Sequence, residues 1–203
     1  LGGNIGHPLL CESPEIKKED VVVLELSSFQ LHSMKCKSDV ALITNISPNH
    51  LDKHKDYQDY IDSKMAIFQL QDENDRLVLN LDDEQSDYFR KNARAKISYF
   101  SHRSSVERGC ILEDRRIYRI DEVGRHFIMD ADEIKLPGEH NIHNYLAAFA
   151  AVEGYVSDEV CRHVAMTFGG VEHRLERVRV LRGVTYINDS IGTSPTRTLA
   201  GLR

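Results

Sequence analysis

A chain of 203 residues with 41% hydrophobic and 29% charged residues has enough apolar material to bury a core, and lies far from the composition of disordered segments. A formal net charge of -6 excludes a phosphate-backbone binder, which needs a clustered excess of Lys and Arg, so nucleic acid is not expected as a partner. The four cysteines, Cys11, Cys36, Cys110 and Cys161, form no C-x-x-C pair, and no run approaches the ~18 apolar residues of a membrane span; reduced thiols in a cytoplasmic protein without a membrane partner are the expectation.

In chain order, Val21-Val22-Val23-Leu24-Glu25-Leu26 and Asp39-Val40-Ala41-Leu42-Ile43-Thr44-Asn45-Ile46 are continuous apolar runs, the pattern of strands buried on both faces of a parallel sheet. Arg76-Leu77-Val78-Leu79-Asn80-Leu81 and Lys96-Ile97-Ser98-Tyr99-Phe100 predict two further strands, and residues 56–71 and 84–92 carry helical patterns between them. From 110 to 136 the text changes to short β-like runs with turn residues, an antiparallel annex ended by Pro137-Gly138. A helix pair follows over 141–155 and 157–168, the second opened by Ser157-Asp158-Glu159 as cap and acidic first turn.

Gly169-Gly170 then marks a domain boundary, and residues 175–181 and 184–188 predict a strand pair before a helix entry at Thr193-Ser194-Pro195. The fold class is therefore α/β: a mostly parallel sheet flanked by helices, a small antiparallel annex, and the start of a second α/β domain. Leu1-Gly2-Gly3 is not the charged start of a signal peptide, and residues 194–203 read as a helix that has only begun, so both ends are expected to be cut.

Several constellations carry chemistry. Glu25 closes an apolar strand, where a carboxylate is either a Mg²⁺ ligand at the ligand-facing edge of the sheet or a solvated strand-end acid. Ser27, Ser28 and Gln30 beside it suit a polar substrate or a helix cap. In Asn49-His50-Leu51-Asp52-Lys53-His54, imidazoles and a carboxylate alternate as they would around Zn²⁺, or form a polar loop. Lys64 falls inside the apolar stripe of Tyr57, Tyr60, Ile61, Met65 and Phe68. It either snorkels to water or keeps a partly desolvated amine whose pKa falls below about 10.4. Asn141 and Asn144 lie one turn apart at a helix start, as base or phosphate ligands or as caps; His140 and His143 there lack a third ligand. No G-K-[ST] phosphate-binding loop occurs in these residues.

Taken in order, GGNIG at 2–6, ELSSFQL at 25–31, TNISPNHLDKH at 44–54, YIDSKMAIF at 60–68, GEHNIHN at 138–144, GVEHRLE at 170–176 and YINDSIGTSPT at 186–196 resemble the Mur ligase family of bacterial cell-wall enzymes, and ELSSFQL points to its D-glutamate-adding member. The resemblance spans the chain. It implies an ATP-dependent amide ligation of D-glutamate to UDP-N-acetylmuramoyl-L-alanine through an acyl phosphate, in a cytoplasmic monomer making peptidoglycan precursor. It implies Mg²⁺ in place of zinc, with Glu25, His50 and Lys64 as metal-site and catalytic residues and Lys64 carbamylated. It further implies that Asn141, Asn144, Arg174 and Asp189 bind ATP between domains, and that Asn4, Ser27, Ser28 and Gln30 face the muramoyl substrate.

On this reading residues 1–170 are the central ATP- and metal-binding domain without its phosphate-binding loop, and residues 171–203 begin a carboxy-terminal ligase domain; these residues alone are expected not to catalyse ligation. One departure stands out: the family pattern reads N-D-S-K where this chain has Asn188-Asp189-Ser190-Ile191. Rival readings are another Mur or folylpolyglutamate-type ligase, a zinc hydrolase built on His50, Asp52 and His54, and a non-catalytic nucleotide-binding module.

Overall fold

The computed structural model describes residues 1–4, 9–48, 54–190 and 192, which divide into two compact units. The first comprises residues 1–41, 46–76 and 87–96, and the second residues 42–45, 77–86 and 97 onward.

In the first unit, β1 (Gly2–Gly3) pairs in parallel with β2 (Leu24–Glu25), and the helices are α1 (Leu9–Glu12), α2 (Ser28–Ser33), α3 (Tyr57–Met65) and α4 (Ser86–Asn92), the last but for its first residue. The helices enclose Leu31, Tyr60, Ile61, Phe68 and Phe89, all buried, with Phe68 and Phe89 edge to face at 6.0 Å. Helix α2 begins where Ser27 and Gln30 form the reciprocal S-x-x-Q cap. Helix α3 begins where the Asp56 carboxylate accepts from the Asp59 amide. It is shorter than the stripe over 56–71 predicts: after Met65 the bonds tighten, Ile67 N to Lys64 O and Phe68 N to Met65 O, and the chain continues as turns.

The second unit holds most of a six-stranded sheet, β3 (Val40–Ile43), β4 (Arg76–Asn80), β5 (Lys96–Ser101), β6 (Gly109–Glu113), β7 (Arg116–Ile120) and β8 (Arg125–Asp130), in sequential order; the first two residues of β3 and the first residue each of β4 and β5 belong to the other unit. Strand starts bond to strand starts, Arg76 N to Asp39 O and Lys96 N to Asp75 O, which aligns β3, β4 and β5 in parallel. The sheet is mainly parallel at this end, and β6 joins β5 in parallel before β6, β7 and β8 run antiparallel. The predicted annex is thus no separate layer. It extends the parallel sheet along its hydrogen-bonding edge.

Leu77, Val78 and Leu79 of β4 are fully buried, as a continuous apolar run predicts. Two runs differ from expectation. In β3, the last strand of the sheet among the described residues, burial alternates, only Ala41 and Ile43 being buried, as side chains on opposite faces do. Val21, Val22, Val23 and Leu24 are exposed, because β2 is two residues long and its partner among the described residues is the equally short β1.

Helix α5 (Glu139–Ala151) buries Ile142, Tyr145, Leu146, Phe149 and Ala150, one helical stripe, and packs on β6. Helix α6 (Asp158–Thr167) is capped by Ser157, whose side chain accepts from the Val160 amide. Strands β9 (Glu176–Leu181) and β10 (Val184–Asn188) form an antiparallel pair as predicted, bonded to no other strand among the described residues. The four cysteines are free, and burial pushes the Cys110 thiol up to about 12. No helix among the described residues is long and apolar enough to cross a membrane.

One buried cation ties strand to helices. The Arg119 side chain on β7, buried on the same face as Ile117, donates to Asp158 Oδ1 from Nε at 2.8 Å and Nη2 at 2.6 Å, and from Nη1 to the Phe149 carbonyl at 2.9 Å. Removing the carboxylate strands a guanidinium away from water. Asp158→Ala is expected to cost on the order of 3 kcal/mol, the low end for such pairs because Asp158 is a third exposed. Urea unfolding followed by circular dichroism measures it; a loss under about 1 kcal/mol, the range of a surface pair, would mean the pair is solvated.

Candidate functional site

In the first unit the polar residues singled out from the sequence gather around the end of β2. Gly3 lies with φ +101 so close to β2 that a Cβ there would sit 2.3 Å from the Glu25 carbonyl oxygen, so only glycine admits the pairing. The pairing brings Asn4 onto Glu25 twice: its amide donates to the Glu25 carbonyl at 2.7 Å and its Nδ2 to Glu25 Oε1 at 3.5 Å. The Glu25 carboxylate itself is exposed.

Lys64, on the last turn of α3, is half-buried with its Nζ 5.5 Å from the centre of the Tyr60 ring. Burial lowers its pKa below the usual lysine value, and the charge of Glu25 opposes that shift without cancelling it. The amine is thus partly desolvated and partly exposed, and among the described residues Glu25 is the charge that opposes its shift.

Ser27 and Gln30 are occupied with each other. The Ser27 amide and hydroxyl donate to Gln30 Oε1 at 2.9 and 3.0 Å, and the Gln30 amide donates to Ser27 Oγ at 3.3 Å. Ser28 is buried, its Oγ 3.0 Å from His54 Nε2. His54 is a core histidine: Nδ1 lies 3.0 Å from Asp59 Oδ2, and its ring packs against Phe29, His32 and Tyr60. The hydrogen bond from His54 holds the Asp59 carboxyl below the ordinary range. His50 and Asp52, expected as neighbouring ligands, lie outside the described residues, as does Ile191. Sequence reasoning missed Ser28 and Asp59 as partners of His54, since no short spacing connects residues 28 and 54.

In the second unit Asn141 and Asn144 part ways. Asn141 Nδ2 donates to the Pro137 carbonyl at 2.7 Å, a local cap, whereas Asn144 is exposed. His143 does not pair with His140; it stacks on His102 with ring centres 3.8 Å apart, and burial, then the neighbouring His102, lowers its pKa. Arg174 and Asp189 come together at the open end of β9–β10, where the Leu175 amide donates to Asp189 Oδ1 at 3.2 Å. His173 and Leu175, flanking Arg174, have φ of 66 and 48, the left-handed region that side chains enter only when neighbours enforce it.

A model of the Mur ligase middle domain matches residues 2–152. The chain belongs to the Mur ligase family. Among curated relatives, the UDP-N-acetylmuramoylalanine--D-glutamate ligase of Acetivibrio thermocellus is 50% identical over 202 residues, covering 100% of this chain and 43% of the relative. The protein of the same name from Ruminiclostridium cellulolyticum is 50% identical over 203 residues, covering 100% of this chain and 44% of the relative. The chain thus spans less than half the length of these relatives. Among solved structures, MurF from Acinetobacter baumannii aligns with a TM-score of 0.69 at 19% identity, over 92% of this chain and 42% of that one, a likeness of fold.

The Mur ligase match takes in Asn4, Glu25, Lys64, Asn141 and Asn144, while Arg174 and Asp189 lie beyond it and are reached by the full-chain relatives. Within this Mur ligase fold, the position of Glu25 depends on Gly3. Gly3→Ala is expected to separate β1 from β2, so the Gly2 and Asn4 amides, bonded to the Val23 and Glu25 carbonyls, lose protection from hydrogen exchange while α5 keeps its own. Unchanged protection at Asn4 would show that β1 yields to the added methyl without leaving β2.

Proposed function

We propose that the chain is the central nucleotide- and metal-handling part of an ATP-dependent ligase that adds D-glutamate to UDP-N-acetylmuramoyl-L-alanine in peptidoglycan precursor synthesis, acting in the cytoplasm as a monomer. Lys64 carries the reading, a half-buried amine of lowered pKa facing the charge of a strand-end carboxylate. The identity of the substrates is supported by relatives of that printed name at 50% identity across the whole chain. On this proposal residues 1–170 serve as the central domain and residues 171–203 open the carboxy-terminal ligase domain.

The donor chemistry at Glu25 and Lys64 suits a hard cation. A carboxylate is a natural Mg²⁺ ligand. A neutral lysine amine that captures CO₂ releases a proton and becomes a carbamate, which presents anionic oxygens where an ammonium stood. Glu25, carbamylated Lys64 and His50 would then hold Mg²⁺, which screens the repulsion between the substrate carboxylate and the γ-phosphate it attacks. Ser27, Ser28, Gln30 and Asn4 line the edge beside Glu25 and would face the muramoyl portion, Ser27 and Gln30 by way of the helix end they brace.

The remaining proposed ligands lie in the second unit. Asn144 offers its amide to the nucleotide, and Asn141 orients the start of α5 through Pro137. Arg174, held between two strained residues, supplies a cation, and Asp189 fixes the backbone beside it. A solved structure of the same fold, MurF of Thermotoga maritima, is in complex with ADP, which supports a nucleotide site in this fold.

The protein encoded by the complete gene is expected to release ADP only when UDP-N-acetylmuramoyl-L-alanine and D-glutamate are both present, and not when L-lysine or L-glutamate replaces D-glutamate. Release driven by either of those amino acids would move the protein to another branch of the family. A zinc-dependent activity without ATP would sink the ligase reading.

Lys64→Ala is expected to lower kcat on the order of 10²–10³-fold, the scale of losing one preorganised electrostatic group. With ¹³C-bicarbonate, a carbamate signal should be present in the native protein and missing in Lys64→Ala. Because only the neutral amine reacts and burial lowers the pKa, the signal should grow as pH rises toward the ordinary lysine range. Native activity without a carbamate signal would retire that part of the proposal.

A further inference from the structure

His54 was read from the sequence as a candidate ligand together with His50 and Asp52, which lie outside the described residues; the partners it meets among the described residues make a site of their own. Among the described residues, His32, His54 and Asp59 each offer one ligand atom, and those atoms all lie within 4.8 Å of one another. His54 Nδ1 is 3.0 Å and His32 Nε2 3.4 Å from the same oxygen, Asp59 Oδ2. Donors at the usual 2.0–2.2 Å from a tetrahedral ion are about 3.4 Å apart, and two imidazoles sharing that ion have ring centres about 5 Å apart. The His32 and His54 ring centres are 5.4 Å apart.

We propose that His32, His54 and Asp59 form a binding site for a divalent transition metal such as Zn²⁺ or Co²⁺, separate from the Glu25 and Lys64 group, that clips α2 to α3. The donor set decides the ion: two imidazoles and one carboxylate suit Zn²⁺, Co²⁺ or Fe²⁺, whereas Mg²⁺ takes oxygen ligands. Two further features belong to built metal sites. The far nitrogen of His54 is engaged by Ser28 Oγ at 3.0 Å, which fixes the ring and, when Nε2 is the donor, leaves Nδ1 free to ligate. The His32 and Asp59 side chains are 50% and 31% exposed while that of His54 is 1% exposed, so an ion enters from solvent and keeps room for water as a further ligand.

The site joins α2, which carries His32, to α3, which carries Asp59, through His54 just before α3. Its occupation would hold together the helices on which Ser28 and Lys64 lie. The inference goes beyond the ligase reading and does not rest on it.

Cobalt titration tests it. Untagged protein from the complete gene, stripped of metal and kept in excess Mg²⁺, is titrated with Co²⁺ while its visible d–d bands are recorded, and Zn²⁺ is then added as competitor. One equivalent of Co²⁺ should bind and be displaced by Zn²⁺. His32→Ala and Asp59→Asn should each weaken binding by at least 10–100-fold, the scale known for lesser perturbations around metal sites, and Glu25→Ala should titrate like the native protein. His32 is half-exposed, so His32→Ala keeps the thermal midpoint, which separates lost ligation from lost folding. Absence of Co²⁺ bands in excess Mg²⁺, or a His32→Ala curve that matches the native one, overturns the site. A Glu25→Ala variant that loses the bands assigns the cobalt to the Glu25 and Lys64 group and overturns it equally.

Discussion

The hydrogen-bonded chain from Ser28 through His54 to Asp59 fixes α2 against α3, and the first unit's proposed chemistry depends on that junction. Glu25 stands two residues before the cap of α2, and Lys64 on the last turn of α3, so the distance between carboxylate and amine is set by how those helices meet. Apolar contacts alone would leave the helices free to slide, since hydrophobic burial is non-directional. A buried imidazole with both nitrogens engaged is directional. Losing either partner would leave a polar atom without water, a cost of about 1–3 kcal/mol for a neutral group.

That junction gives Lys64 two opposing influences. Burial disfavours the ammonium and Glu25 favours it, and burial prevails. The neutral amine is thereby favoured relative to an ordinary exposed lysine. Once the amine carries a carboxylate-like group, Glu25 changes from a favourable partner to a repelling one, and a cation between them relieves both. The modification and the metal thus become mutually stabilising, each worth more when the other is present. On the proposed function, this coupling would join a lysine inside an apolar stripe and an exposed strand-end acid in one site, although neither is distinctive alone.

How much of this could be read from sequence follows from the range of each interaction. Short-range signals transferred well: the S-x-x-Q cap at Ser27 and Gln30, the Ser157 cap, and the buried run of β4 are local, and the structure has each of them. Long-range pairing did not. Val21, Val22 and Val23 have the composition of a buried strand, but composition carries no information on what covers it, and here they are exposed. The antiparallel strands were legible as strands, yet the β5 to β6 pairing that makes them part of the main sheet joins segments with no shared motif. His54 was legible as chemically unusual and assigned to its sequence neighbours. Its partner Ser28 lies 26 positions away, a separation no spacing rule reaches.

The other proposed site depends on backbone strain. His173 and Leu175 adopt left-handed conformations that an L side chain enters at a cost of about 1–3 kcal/mol each, so something must enforce them. The enforcing bonds are present: the His173 amide donates to Glu176 Oε2 at 2.8 Å, Asn188 Nδ2 lies 2.9 Å from His173 Nδ1, and Asp189 Oδ1 takes the Leu175 amide. Asn188 and Asp189 thereby brace the segment that carries Arg174. A guanidinium on a backbone fixed at both flanks loses less freedom when an anion arrives than one on a mobile loop. On the proposed function, with Ile191 where the family pattern has lysine, Arg174 would be the preorganised cation that meets a phosphate.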